Sequence, residues 1–219
     1  MIHMTIFGKR VSSPSLGHFA QAIVDASQQY KNVSITEPSI DIKPDAVIYA
    51  SRSNDYFADA VSVARQFAVP LLVVSTDVKS QLVKYRDQAD IHYYSNTSLH
   101  TIDFMKDIEA FWAQHQEWQI ASFSEWHQQS KKGMSGTAIA IAESISYDTH
   151  NIEMIRNDDR AQKERNIPET AQAYAIHDIT FANHNDTARR VFSLTTVGRD
   201  AYAMGAIEIA LKLTKRKDH

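Results

Sequence analysis

"DAVIYASRSNDYFADAVSVARQFAVPLLVVST", residues 45–76, opens on an apolar, β-rich run, passes through a polar turn into an amphipathic stretch, and closes on a second apolar run. Strands that read as buried on both faces, joined through a helix-length connection, are the pattern of a parallel pair, because parallel neighbours need a long crossover. Asp45 to Ala50 is therefore expected as a strand, Asp55 to Phe67 as a helix and Pro70 to Ser75 as the next strand. Upstream, Ile2 to Phe7 reads as a strand, Leu16 to Gln29 as a helix, and "NVSITEPSI" (residues 32–40) holds one more short strand. The alternation predicts an α/β domain, a parallel sheet wrapped by helices.

Downstream of Ile91 to Tyr94 comes a polar break, Ser95-Asn96-Thr97-Ser98, where a domain hinge is expected. A long helix from Leu99 to Gln114 follows, then a strand from Gln119 to Glu125, a polar segment from Asp148 to Ala173, strands at Ala175 to Phe181 and Arg190 to Thr196, and a last helix from Arg199 to Lys215. There are no internal repeats or low-complexity tracts.

The 219 residues are enough for one large domain or two small ones with real cores. With no cysteine, disulfides, a thiolate nucleophile and cysteine-bound zinc are excluded, and a reducing cytoplasm fits. The net charge of -3 gives no general attraction to nucleic acid or anionic membrane. The basic cluster Lys212 to Lys217 reads as a solvated helix end. No window reaches the roughly 18 apolar residues of a spanning helix, and Met1 to Gly8 lacks the marks of a signal peptide.

A first strand ending in Gly8 and followed by a loop and a helix can present backbone N–H groups to a pyrophosphate. The loop here, "GKRVSSPSLG", has glycine only at 8 and 17, so the G-x-G-x-x-G fingerprint is not met. Lys9 and Arg10 are candidate partners of a pyrophosphate or 2′-phosphate, and Ser12, Ser13 and Ser15 are candidate neutral donors; solvated loop charges and turn chemistry are the alternatives. Glu37, at the end of the second expected strand, sits where a carboxylate would accept from a ribose hydroxyl.

The second informative stretch is "SEWHQQSKKGMSGTAIAIAESI", residues 124–145. His127 and Lys131 are four residues apart, on one face of a helical turn or neighbours in a loop. A histidine is a proton donor near neutral pH, and a lysine supplies a cation or a second donor. Ser135-Gly136-Thr137 then opens an apolar helix, whose free N–H groups suit a carboxylate or phosphate. An N-cap beside a solvated turn is the bland alternative. No H-E-x-x-H pair and no G-x-S-x-G elbow occurs, so neither a metal hydrolase nor a serine hydrolase is supported, and no metal site is expected.

These residues resemble the dihydrodipicolinate reductase family. Its motif E-x-H-H-x-x-K-x-D-x-P-S-G-T-A is similar to "EWHQQSKKGMSGTA", with one residue deleted after the lysine, through Glu125, His127, Lys131, Ser135, Gly136, Thr137 and Ala138. Residues 45–76 are similar to its D-V-V-I-D-F-T-x-P and G-T-T-G segment, Asn96 and Ser98 to its hinge N-F-S-x-G, "AIHDITF" to G-x-H-x-v-x-F, and "GRDAYAMGA" to S-R-x-x-F-A-x-G-A.

The resemblance implies a Rossmann-like nucleotide-binding domain over residues 1–94, completed by the C-terminal helix 199–219, and a mixed α/β substrate-binding and oligomerisation domain over 95–198. It implies hydride transfer from NADPH or NADH to a cyclic dicarboxylate in the diaminopimelate route to lysine, in a cytoplasmic homotetramer. His127 would be the acid, Lys131 the second donor or carboxylate clamp, and Ser135, Gly136 and Thr137 the carboxylate cradle. Gly8, Lys9, Arg10, Gly17, Glu37, Ser51, Ser75, Thr76 and Asn96 would meet the cofactor.

The departures also form a pattern. Gln128 replaces the family's second histidine, Met134 its proline, "VSTD" (residues 74–77) its G-T-T-G and "YAS" (residues 49–51) its D-F-T, and the first loop is longer and poorer in glycine. They support a second reading, a catalytically inactive paralogue that acts as a ligand-binding or regulatory protein.

Overall fold

The computed structural model describes residues 1–10, 13–39, 42–51 and 56–216. Ser12, Asp55 and Lys217, named above, lie outside the described residues, as do the side chains of Arg10 and Ser13. The chain divides into two compact units, residues 1–98 with 199–219, and residues 99–198.

In the first unit five strands run parallel. These are β1 (Ile2–Phe7), β4 (Val33–Thr36), β5 (Ala46–Tyr49), β6 (Leu71–Val73) and β7 (Ile91–Tyr93), in the order β4-β1-β5-β6-β7. The apolar runs form central strands because both faces are covered. Val47 and Tyr49 pack with Phe57, Ala60, Val61 and Ala64 of helix α2 (Phe57–Phe67). Their alternate neighbours Ala46 and Ile48 are also fully buried, and helix α7 (Asp200–Lys215) packs on β5, β6 and helix α1 (His18–Ser27). The fold is Rossmann-like: connections leave β1 and β5 towards opposite faces, which opens a switch point at the carboxyl edge of the sheet.

Two features of this unit depart from the sequence pattern. The loop after β1 is a small hairpin, β2 (Lys9–Arg10) against β3 (Ser13–Leu16), so α1 begins only at His18. After β6 comes a short 3₁₀ turn, Thr76–Gln81, continued by α3 (Leu82–Tyr85).

The second unit carries a four-stranded sheet in the order β11-β10-β8-β9. β8 (Gln119–His127), β10 (Tyr174–Ala182) and β11 (Arg189–Val197) are antiparallel, and β9 (Glu153–Ile155) adds in parallel to β8. Period-two alternation puts Phe123, Glu125 and His127 of β8 on one face with His177, Ile179 and Phe181 of β10. That face meets α4 (Leu99–Gln114) and α5 (Gly136–Ser144) through Phe104, Ile108, Ala138, Ile141 and Ala142. The opposite face holds Trp126, Tyr174 and Ile176 with Ala161 of α6 (Asp158–Arg165).

Candidate functional site

The covered face of the second sheet is apolar at one end, around Phe123 and Phe181, and polar at the other. β8 runs two residues beyond Glu125, so His127 is the last residue of a strand, and Lys131 lies in the turn that follows, where its N–H donates to Gln128 O at 2.9 Å. Glu125 pairs with His177 across the ladder, and His127 pairs with Ala175. Sheet register therefore gathers the three titratable side chains. Glu125 is 0%, His177 2% and His127 9% exposed.

The start of α5 lies against this cluster. Ser135 is the N-cap, its Oγ accepting from Ala138 N at 3.1 Å, and its N–H donates to Glu125 Oε2 at 2.8 Å. Its Oγ is also 3.3 Å from His177 Nε2. The cap bond goes to Ala138, so it does not occupy the N–H of Gly136. Gly136 is exposed, with open space where a side chain would stand, so an anion can come close to the backbone there.

The electrostatics are set by burial and by Arg156. Burial, the largest influence on Glu125, would raise its pKa, but the Ser135 hydroxyl and N–H, Arg156 and His127 outweigh it and hold the carboxyl below its usual value. Arg156 Nη2 is 2.6 Å from Glu125 Oε1. Burial lowers the pKa of His177 to about 4, against the pull of Glu125, so at neutral pH it is uncharged. Burial also lowers that of His127, with Arg156 and Lys131 adding to it and Glu125 and the Tyr174 carbonyl opposing.

His127 Nδ1 is 2.7 Å from Tyr174 O, an acceptor, so Nδ1 carries the hydrogen. Nε2 is then the atom that gains or loses a proton. It is buried, has no hydrogen-bond partner among the described residues, and faces Glu125 Oε2 at 3.7 Å. Glu125 Oε2 and the Nε2 atoms of His127 and His177 lie within 4.8 Å of one another, which by donor type could hold a metal ion. The carboxylate charge is already balanced by Arg156, and Oε2 already accepts from Ser135, so the arrangement fits a proton site better than a divalent cation.

Lys131 is half-buried, and among the described residues its ammonium makes no ion pair or hydrogen bond. Sequence reasoning had singled out His127, Lys131, Ser135, Gly136 and Thr137. Glu125 and His177 enter there only as motif matches, and Arg156 is missed, being one of three arginines in the polar segment with nothing local to set it apart.

In the first unit, Gly8, Glu37, Ser51, Ser75 with Thr76, and Asn96 follow the ends of β1, β4, β5, β6 and β7, and since the strands are parallel all line one edge. Gly8 O accepts from the N–H of Gly17, which precedes α1 and makes no side-chain cap. A side chain at Gly8 would collide with Ala20 Cβ, so this glycine serves close strand-to-helix packing. Ser51 is buried and donates to Lys9 O at 2.9 Å. Lys9 Nζ and Glu37 Oε2 are paired at 3.0 Å. Asn96 Oδ1 accepts from Ser98 N. The edge carries hydroxyls, an amide, a cation and a carboxylate, largely engaged with one another, and the β2–β3 hairpin stands in place of a glycine-rich turn.

A family model described as "Dihydrodipicolinate reductase, C-terminus" matches residues 100–219, more than half of the chain. Among solved structures, a dipicolinate-bound dihydrodipicolinate reductase from Paenisporosarcina sp. TG-14 is similar, with 14% identity, a TM-score of 0.71, and 98% of this chain and 95% of that chain covered. An engineered D-amino acid dehydrogenase bound to NADP+ follows at 9% identity and TM-score 0.53, covering 99% and 90%. A C. glutamicum DAP dehydrogenase in complex with DAP has 10% identity and TM-score 0.52, covering 99% and 90%. At these identities the likeness is one of fold. No curated protein matches the chain. Among the described residues no helix is long and apolar enough to cross a membrane.

Proposed function

Since the chain belongs to the dihydrodipicolinate reductase family by the match over residues 100–219, we propose that it is a cytoplasmic NAD(P)H-dependent reductase of a cyclic dicarboxylate, the 4-hydroxy-tetrahydrodipicolinate of the diaminopimelate route to lysine. The observation that carries this reading is the Lys131 ammonium, unpaired among the described residues, on the short loop that joins the buried His127 Nε2 to the capped start of α5.

A carboxylate of the substrate is taken at the first turn of α5, by Gly136 and Thr137, with Lys131 as its counter-charge. Ser135, held by Glu125, fixes the position of that first turn. His127 stores the proton at Nε2, where Glu125 favours the charged form and burial disfavours it, so the proton is easily given up. When bound, the nicotinamide cofactor supplies the hydride. Gly8, Lys9, Arg10, Gly17, Glu37, Ser51, Ser75, Thr76 and Asn96 hold it along the carboxyl edge of the parallel sheet. Exposed Val191 and Val197 on β11 support assembly into a homo-oligomer, a tetramer by family resemblance.

One observation favours the second reading, a ligand-binding paralogue without turnover: the hairpin in the first loop, with Lys9 engaged by Glu37. Calorimetric titration with NADPH and NADH, each with and without pyridine-2,6-dicarboxylate, separates the two. Cofactor binding tightened by the dicarboxylate is the expected result. Dicarboxylate binding alone would leave the paralogue, and no binding of either class would overturn both.

A further inference from the structure

We propose that Arg156 and Asp158 are positioning residues for Lys131, holding the loop that carries it from two sides, Arg156 at the Lys131 and Gly133 carbonyls and Asp158 at the Gln129 N–H, while no described residue engages its ammonium. The inference rests on the reading of Lys131 as the group that meets the anionic ligand.

The loop between β8 and α5 has little to hold it by itself. It is polar, passes through Gly133 at φ +68°, and has the Lys131-to-Gln128 turn as its internal backbone hydrogen bond among those described. Besides the Ser135 N–H on Glu125 and the Tyr174 N–H on Gln128 Oε1, its anchors come from residues 156–158. Arg156 Nε donates to Lys131 O at 3.3 Å, and Nη2 donates to Gly133 O at 2.9 Å and Glu125 Oε1 at 2.6 Å. Nη1 donates to Glu125 O at 3.2 Å and Ile155 O at 3.0 Å. Asp158 takes the Gln129 N–H on both carboxylate oxygens at 3.1 Å.

A guanidinium has five N–H donors, and Arg156 therefore has an acceptor for each. Its side chain is only 15% exposed. It has no donor to spare for a ligand, so it serves the loop and Glu125. Lys131, four residues before the cap of α5, is a half-buried cation left for a ligand among the described residues. The anchor is itself fixed: β9 pairs with β8 through Ser124↔Glu153, Glu125↔Met154 and Trp126↔Ile155, which sets where residue 156 begins. Asp158 is held by the Tyr174 hydroxyl at 2.8 Å, and the carbonyl of that same Tyr174 orients His127. The polar segment is thus a frame that aligns the anion site with the proton site. A lysine at 156, with three donors and no planar fork, could not reproduce it.

The test is a double-mutant cycle on the full chain, with pyridine-2,6-dicarboxylate as the probe and calorimetry as the readout. Arg156→Lys should weaken binding roughly tenfold, the order of one charge-assisted contact, and should have almost no further effect in a Lys131→Ala background. Equal loss in both backgrounds, or no loss in either, overturns the proposal. If Arg156→Lys does not fold, Asp158→Asn enters the same cycle with the same expectation. If the unsubstituted chain does not bind the dicarboxylate, the reading of the ligand fails, and amide hydrogen exchange decides the positioning role separately. Faster exchange at Gln129 and Lys131, with α5 unchanged, would support the frame, and unchanged exchange would overturn it.

Discussion

Nε2 of His127 faces Oε2 of Glu125 at 3.7 Å, while the other oxygen of Glu125 is held by Arg156 at 2.6 Å. One buried carboxylate thus serves an arginine and a histidine. Replacing it by an amide leaves Arg156 without its counter-charge, so Glu125→Gln should destabilise the chain by about 3 kcal/mol. It should also lower the His127 pKa further, because the carboxylate is the main influence holding it up. Denaturant unfolding and an NMR titration of the histidines check both; an unchanged His127 titration would mean that the two groups do not communicate.

The acid sensitivity of the chain should centre on His177. A histidine whose pKa is depressed on folding binds fewer protons folded than unfolded, so its stabilising contribution is complete above the unfolded value and is lost as pH falls. Here the window runs from 6.5 down to about 4. The loss is on the order of 3 kcal/mol at roughly 1.4 kcal/mol per unit. His127 adds in the same direction. Unfolding measured across that window should slope steeply in the unsubstituted chain and more gently in His177→Gln; equal slopes would assign the effect elsewhere.

Gly8→Ala should cost about 1 to 3 kcal/mol by overpacking against Ala20. Ala20→Gly in the same chain should restore much of that loss by emptying the space. Thermal unfolding of the single and double variants reads this directly, and failure of the rescue would locate the strain in the backbone rather than in the contact.

Lys9 and Glu37 are bound to each other at the edge where a cofactor ribose is proposed to sit. Glu37→Ala frees the ammonium for a 2′-phosphate and removes the acceptor for a ribose diol, so the ratio of NADPH to NADH affinity should rise several-fold. Calorimetry with both nucleotides measures it, and an unchanged ratio would put the adenosine ribose away from this pair.

What the sequence made legible followed burial periodicity. β5, α2 and β6 were readable in residues 45–76 because strands covered on both faces need continuous apolar runs, and a helix covered on one face needs a stripe. The hairpin β2–β3 was not, since "KR" and "SPSL" carry neither pattern and Ser-Pro-Ser reads as a turn. β9 was missed because Glu153 and Met154 are exposed, so nothing alternates. α6 was missed because Ala161 is its one buried residue. In the candidate site, motif spacing singled out His127, Lys131 and the turn at Gly136. The five-acceptor seat of Arg156 depends on β9 pairing with β8, a contact between residues about thirty apart that no local pattern encodes.

The discontinuous first unit has a consequence for the order in which the chain is made. α7 covers β5 and β6, yet it leaves the ribosome only after residues 99–198 have been synthesised. Until then the part of that sheet face around Ala46 and Ile48, beside α1, has no helix over it, whereas the second unit has every strand and helix it needs once residue 198 is out. The later part of the chain can therefore complete its core first, and a chain truncated just before Asp200 and released should carry a folded second unit and an exposed, chaperone-binding first one.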